Sequence, residues 1–324
     1  MLIDFQAHWT PPAHFAALES RRDYPRARRL EDGTLYVEYS AIHARPIDSR
    51  FYDLDVHFAD MEAHGVDVMV SSPSLSDVAR LSLEEAVHLT NRLNEEAGRA
   101  QERWPDRFVG LAVLPLGHPA AAVGVLRRAI EDSGLRGVCL TSNVGGVPLV
   151  RPESMPVFDA IAEYDVPIVL HPTTSMLAGL GVPDAVERGL SWMTDTSTAA
   201  LSLIYTGMLD RHPGLRVLHP HAGGVVPYIV GRMGLVEEDV SDERPRDSMT
   251  AYVRRNFFTD SVNDTEGALE MALRTFGAGR VLYGSDFPYV KRGVILSAIR
   301  RLTASDRASV FEATGPGGLV QTAG

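Results

Sequence analysis

Short apolar runs alternate along this chain with longer stretches whose apolar residues recur at helical spacing. The runs at 2–5, 67–71, 108–114, 137–141, 167–170, 215–218, 257–260 and 281–283 are too short for helices and predict buried strands. Between most of them lie amphipathic stretches, at 83–104, 120–130, 155–164, 198–209 and 265–273, that predict helices. Such regular alternation implies parallel strands joined by right-handed crossovers. Eight units in 324 residues fit a (β/α)8 TIM barrel better than an open, doubly wound sheet. The open sheet ordinarily carries a glycine-rich phosphate loop after its first strand. Here Gln6-Ala-His8-Trp-Thr-Pro-Pro follows, without a glycine.

Residues 9–52 break the rhythm. They carry Arg21, Arg22, Arg26, Arg28, Arg29, Arg45 and Arg50, with turn residues such as Asp32-Gly33. This stretch predicts an insertion after the first strand that folds over the mouth of the barrel, so that 1–324 reads as one domain. After Thr314 the run Gly-Pro-Gly-Gly predicts a tail that frays or packs between subunits.

Composition narrows the classes of function. Hydrophobic content of 45% and charged content of 23% are those of an ordinary globular enzyme. A formal net charge of -11 argues against nucleic acid or an anionic membrane as a general partner, though a few arginines in a pocket can still receive a small anion. Cys139 is the only cysteine, which excludes intrachain disulfides and a cysteine-based metal site. No apolar run reaches the length of a membrane span, and the first residues read as a strand rather than a signal peptide, so the expected compartment is the cytoplasm.

In a barrel of this kind the reacting groups stand at the C-terminal ends of different strands. Those ends carry Gln6 and His8 after the first strand, His171 after the fifth, His219 and His221 after the sixth, and Asp286 after the eighth. Taken alone, Asp286 reads most simply as a helix cap, and each histidine as a packed residue. Together they form a constellation that packing does not explain. Gln6 and His8 are two apart, so an extended strand points both into the barrel. Imidazole and carboxylate groups arriving from separate strands suit Zn²⁺ or Mn²⁺.

Several segments carry a resemblance: Ile3-Asp-Phe-Gln-Ala-His8, Arg107-Phe-Val-Gly-Leu-Ala-Val-Leu-Pro115, Leu135-Arg-Gly-Val-Cys-Leu, Val166-Pro-Ile-Val-Leu-His-Pro172, His221-Ala-Gly-Gly-Val-Val-Pro-Tyr228 and Leu282-Tyr-Gly-Ser-Asp-Phe-Pro288. In this order they resemble the amidohydrolase superfamily, in the branch containing aminocarboxymuconate-semialdehyde decarboxylase and related aromatic acid decarboxylases. The insertion at 9–52 matches poorly. The resemblance implies a barrel holding one divalent metal through His8, His171 and Asp286, with His221 as the acid or base beside the substrate. It also suggests a homodimer. The branch usually has His or Glu where this chain has Gln6, a neutral and weaker ligand. Relatives with two metals bridge them through a lysine after the fourth strand. Thr141 and Ser142 stand there, and the only lysine is Lys291, so at most one metal is expected.

Three functions are compatible with these residues. The first is a metal-dependent, non-oxidative decarboxylase of an aromatic or unsaturated carboxylic acid, in which Asp286 or His221 protonates the carbon bearing the carboxylate. Arg45 or Arg50 would then hold a second anionic group, and Trp192 would line the pocket. The second is a hydrolase of an ester, lactone or amide, in which Asp286 takes a proton from a metal-bound water. The third, motivated by Gln6, is a barrel that binds a small acid without turning it over.

Overall fold

Eight parallel staves close into a ring in the computed structural model, which describes residues 1–39, 44–73, 78, 81–236, 245–317 and 319–320. The strands in chain order are β1 (Ile3–Ala7), β2 (Arg26–Arg29), β3 (Leu35–Glu38), β4 (Ala44–Ile47), β5 (Val68–Ser71), β6 (Phe108–Gly110), β7 (Ala112–Val113), β8 (Val138–Thr141), β9 (Asn143–Val144), β10 (Val147–Pro148), β11 (Ile168–His171), β12 (Val217–His219) and β13 (Phe257–Thr259). Parallel pairs run from β1 to β5, β5 to β6, β7 to β8, β8 to β11, β11 to β12 and β12 to β13. β6 and β7 are halves of one stave, interrupted at Leu111, whose N–H donates to Ser71 O at 2.9 Å. The eighth stave runs through Val281, bridged to Thr259. Leu282 N donates to Thr259 O and Phe5 N to Tyr283 O, each at 2.8 Å, and the ring is complete.

Side-chain alternation explains why these runs make a barrel. Phe5, Val70, Val109, Val113, Val169, Leu218 and Leu282 form the interior cluster. The residues between them, such as Met69, Ala112, Val138, Leu170, Val217 and Tyr283, face outward and pack with the helices. The helices start and stop where local chemistry dictates. Leu83–Arg103 opens on a capping box of Ser82 and Glu85. Leu54–His64 opens on Asp53 and ends at Gly65, which is left-handed at φ 71°. The stretch expected to be helical at 198–209 is split in two, Trp192–Tyr205 and Met208–Arg211, because Gly207 adopts φ 69° between them. Among the described residues no helix is long and apolar enough to cross a membrane.

After β1 comes a helix, Pro12–Glu19, and then an antiparallel sheet in the order β2-β3-β4. Residues 40–43 of the expected insertion lie outside the described residues. The segment has a small core of its own, including Phe15, Leu18, Val37, Ile47 and Phe51, and Tyr289 packs against it. Its arginines are mostly held by outward ion pairs: Arg26 and Arg28 on Glu38, Arg29 on Glu19, and Arg21 on Glu85. The tail differs from expectation. Leu319 is fully buried within the interior cluster, and a Cβ on Gly137 would come within 2.9 Å of it. A Cβ on Gly315 would collide with the Phe5 ring. Gly315 and Leu319 therefore pack against Phe5 and Gly137 rather than fraying, while residues 318 and 321–324 lie outside the described residues.

Candidate metal centre and pocket

His8, His171 and Asp286 bring one ligand atom each within 4.8 Å of one another. His8 Nε2 lies 3.0 Å from Asp286 Oδ1 and 3.2 Å from His171 Nε2. β1 delivers His8 through an irregularity: the register with β5 shifts between Asp4 and Ala7, which turns the strand at its end. His171 ends β11 on the inward face it shares with Val169. Asp286 follows the eighth stave with φ 57°, a conformation costing about 1–3 kcal/mol for a non-glycine residue. Its N–H donates to Gln6 O at 2.9 Å. It caps no helix, since Arg292–Arg300 begins after Lys291 without a side-chain cap.

The donor set fits a divalent cation. His8 Nδ1 sits 3.1 Å from Ser72 O, a carbonyl that accepts from its N–H, which leaves Nε2 facing Asp286 and His171. Two imidazole nitrogens and a carboxylate oxygen gathered this closely are the donor types a divalent cation takes. Edges of 3.0 and 3.2 Å are those expected around an ion about 2.1 Å from each ligand. Gln6 adds to the case. It is buried, its Oε1 and Nε2 have no hydrogen-bond partner among the described residues, and a Cβ built on the inward-facing Gly284 would lie 3.1 Å from its Cβ. Burial opposes the charge on Asp286, but His221 and His8 outweigh it and hold the carboxyl well below the usual carboxylate range. His171 is pushed down by burial and then by His8.

His219 and His221 separate for a reason strand alternation does not supply. The strand ends at His219, and Pro220 starts a turn in which His221 and Ala222 take φ 59° and 54°. Asp260 Oδ1 anchors that turn, accepting from Ala222 N at 3.0 Å. Gly224 leaves the close approach free, since a Cβ there would meet Ser197 Oγ at 2.6 Å and Met193 O at 2.9 Å. His221 Nε2 consequently stands 3.8 Å from Asp286 Oδ2. Burial lowers its pKa, but Asp286 and then Asp260 raise it to a net value above the ordinary one. His219 faces outward with Val217 and is fully buried, and neither ring nitrogen has a hydrogen-bond partner among the described residues.

A cavity of about 260 Å³ is lined by His171, His221 and Asp286, with Arg45, Arg188, Trp192 and Tyr289 among its walls. Arg45, on β4, stacks its guanidinium 4.5 Å from the ring centroids of both Phe51 and Tyr289. Arg50 stands elsewhere. It is half exposed and doubly bonded to Asp48 at 2.9 and 2.7 Å, and it is not among the residues lining the cavity. The expectation that Arg50 reaches the pocket is therefore corrected: its own neighbour takes the fork. Trp192 lines the cavity with a buried Nε1 that has no hydrogen-bond partner among the described residues. Sequence reasoning did not single out Arg188, which lies in a segment without a distinguishing motif, or Tyr289, which directly follows the Leu282–Pro288 segment.

Buried histidines elsewhere make the fold sensitive to acid. Burial pushes His14 down to about 4, and His57 and His219 down to about 3. Each takes a proton near 6.5 once unfolded, so below that pH the unfolded chain binds more protons than the folded one. Stability is present above pH 6.5 and falls as the pH drops toward the folded values, by about 1.4 kcal/mol per pH unit for each residue. Urea unfolding at pH 7.5 and 5.0 is expected to show a clearly lower midpoint at pH 5.0, and equal midpoints would contradict the assignment.

Comparison with known proteins agrees with the fold. A family model described as amidohydrolase matches residues 3–314. The 2-amino-3-carboxymuconate-6-semialdehyde decarboxylase of Dictyostelium discoideum is 28% identical over 307 residues, covering 88% of this chain and 79% of that protein. The gamma-resorcylate decarboxylase of Rhodococcus jostii is 29% identical over 298 residues, covering 85% and 86%. Among solved structures, the 5-carboxyvanillate decarboxylase of Novosphingobium aromaticivorans, complexed with manganese and 4-hydroxy-3-methoxy-5-nitrobenzoic acid, superposes with a TM-score of 0.79. It is 22% identical, and the match covers 96% of this chain and 93% of that one.

Proposed function

The chain belongs to the amidohydrolase family, and from that premise we propose that it is a metal-dependent, non-oxidative decarboxylase of an aromatic or unsaturated carboxylic acid. The observation that carries this reading is the convergence of His8, His171 and Asp286 at the base of a cavity walled by Arg45 and aromatic rings. The decarboxylase names of the relatives above support it.

His8, His171 and Asp286 would hold one divalent cation, with the unpartnered amide of Gln6 as a weak fourth ligand through its oxygen. Bound there, the cation would act as a Lewis acid and template for the substrate carboxylate. A neutral oxygen ligand suits Mn²⁺ better than Zn²⁺, and the manganese of the Novosphingobium neighbour points the same way.

The remaining work falls to the chain's own groups. The pair Asp286 and His221, 3.8 Å apart, holds the proton that must reach the carbon bearing the carboxylate. Once that carbon is protonated, the C–C bond breaks, CO₂ leaves, and its bonding electrons restore conjugation. Positioned proton transfer of this kind contributes about 10²–10⁴-fold. Arg188 is ion-paired with Asp184 at 2.8 Å, whereas Arg45 meets no carboxylate within ion-pair distance among the described residues. Arg45 is thus the cation available to a second carboxylate or a phenolate on the substrate. Trp192 and Tyr289 supply flat walls for a ring.

Incubation of the Mn²⁺-loaded protein with hydroxybenzoic acids and unsaturated dicarboxylic acids in H₂¹⁸O tests the reading. One CO₂ per acid consumed, with no ¹⁸O in the organic product, is the expected outcome. Labelled hydrolysis products of an ester or lactone panel, without CO₂ from any acid, would replace it by the hydrolase.

A further inference from the structure

The segment that carries Asp286 is bonded to a fully buried ion pair that lies outside both the cavity and the His8–His171–Asp286 group. Asp4 on β1 and Arg292, at the start of the helix that follows Asp286, are both completely shielded from solvent. Asp4 Oδ1 accepts from Ser285 N at 2.9 Å and from Gln6 N at 3.3 Å. Its Oδ2 accepts from Ser285 Oγ at 2.5 Å and from Arg292 Nε at 3.1 Å. Ser285 Oγ in turn accepts from Phe287 N at 3.1 Å. Arg292 lies 4.2 Å over the Phe287 ring, and its other end reaches Asp60. The residues on both sides of Asp286 are therefore tied to one carboxylate.

We propose that Asp4 and Arg292 are positioning residues that act through Ser285 to direct the Asp286 carboxylate at His8 and His171. This rests on the reading of Asp286 as a metal ligand. A buried ion pair adds little net stability over a well-packed apolar pair, so stability alone does not account for it. What the pair supplies is a set of directed hydrogen bonds to a segment whose central residue is held at φ 57°, against its own backbone preference. Asp60 gives an internal control, because it pairs with Arg292 and makes no bond to Ser285.

The test uses the full chain and three variants, Asp4→Asn, Ser285→Ala and Asp60→Asn. Each is measured for Mn²⁺ affinity by chelator competition, for Tm, and for kcat and KM separately. Asp4→Asn and Ser285→Ala are expected to weaken Mn²⁺ binding by about 10- to 100-fold and to lower kcat by a similar factor, with little change in KM. Asp60→Asn is expected to lower Tm while keeping the unmodified protein's Mn²⁺ affinity and kcat. If Asp4→Asn does not fold, Ser285→Ala alone decides, since it removes only the hydroxyl link. Mn²⁺ binding and kcat in folded Asp4→Asn and Ser285→Ala equal to those of the unmodified protein would overturn the proposal, and so would an equal loss in Asp60→Asn. An unmodified protein that fails to compete with the chelator would instead overturn the metal reading beneath it.

Discussion

Replacing Asp286 by Asn is expected to remove turnover, by at least about 10²–10⁴-fold, while the protein stays folded. The fold should survive because asparagine has the same shape and tolerates the left-handed backbone, φ 57°, that this position requires. The bond from its N–H to Gln6 O, 2.9 Å, does not involve the side chain. The site loses two things at once. A neutral amide replaces the carboxylate beside His8 and His171, and the proton carrier proposed next to His221 disappears. Circular dichroism and Tm near those of the unmodified protein, with no detectable CO₂ release, are the expected pair of results. Turnover retained by the variant would move the chemistry away from this carboxylate.

Removal of the metal is expected to have an effect of the same order. Protein stripped with a chelator should lose activity completely and regain it on addition of Mn²⁺. A ligand that binds only the folded state stabilises by about 2.7 kcal/mol at one hundred times its Kd, so Tm should rise with added Mn²⁺. The same titration on His8→Ala should give no such shift. Activity that persists after exhaustive chelation would contradict the account.

The barrel was legible in the sequence because each stave is a short apolar run buried on both faces and bounded by turns. The interior cluster from Phe5 to Leu282 and the outward-facing residues between its members follow directly from that pattern. The grouping of His8, His171 and Asp286 was legible for a related reason: polar residues at the C-terminal ends of separate barrel strands converge on one mouth. Alternation misled where the strand itself ended. His219 and His221 do not share a face, because Pro220 and the two left-handed residues after it turn the chain. Arg45 and Arg50 lie five positions apart in one arginine-rich segment, and what distinguishes them is tertiary. Arg45 sits opposite Val37 in the β3–β4 pairing and meets two aromatic rings, whereas Arg50 is taken by Asp48. Asp4 was in plain view within Ile3-Asp-Phe-Gln, but its partners are 281 and 288 positions away, beyond any local signal. Leu319 was hidden in the same way by a glycine-rich approach that reads as a loose end.

The central assertion is that one cation joins β1, β11 and the segment after the eighth stave. An anomalous difference map at the manganese edge, from crystals grown with Mn²⁺ and an aromatic carboxylic acid, tests it most directly. The expected map shows a single strong peak within coordination distance of His8 Nε2, His171 Nε2 and an Asp286 oxygen, with the acid's carboxylate beside it. A map with no peak there, or one whose manganese is held by other residues, would contradict it.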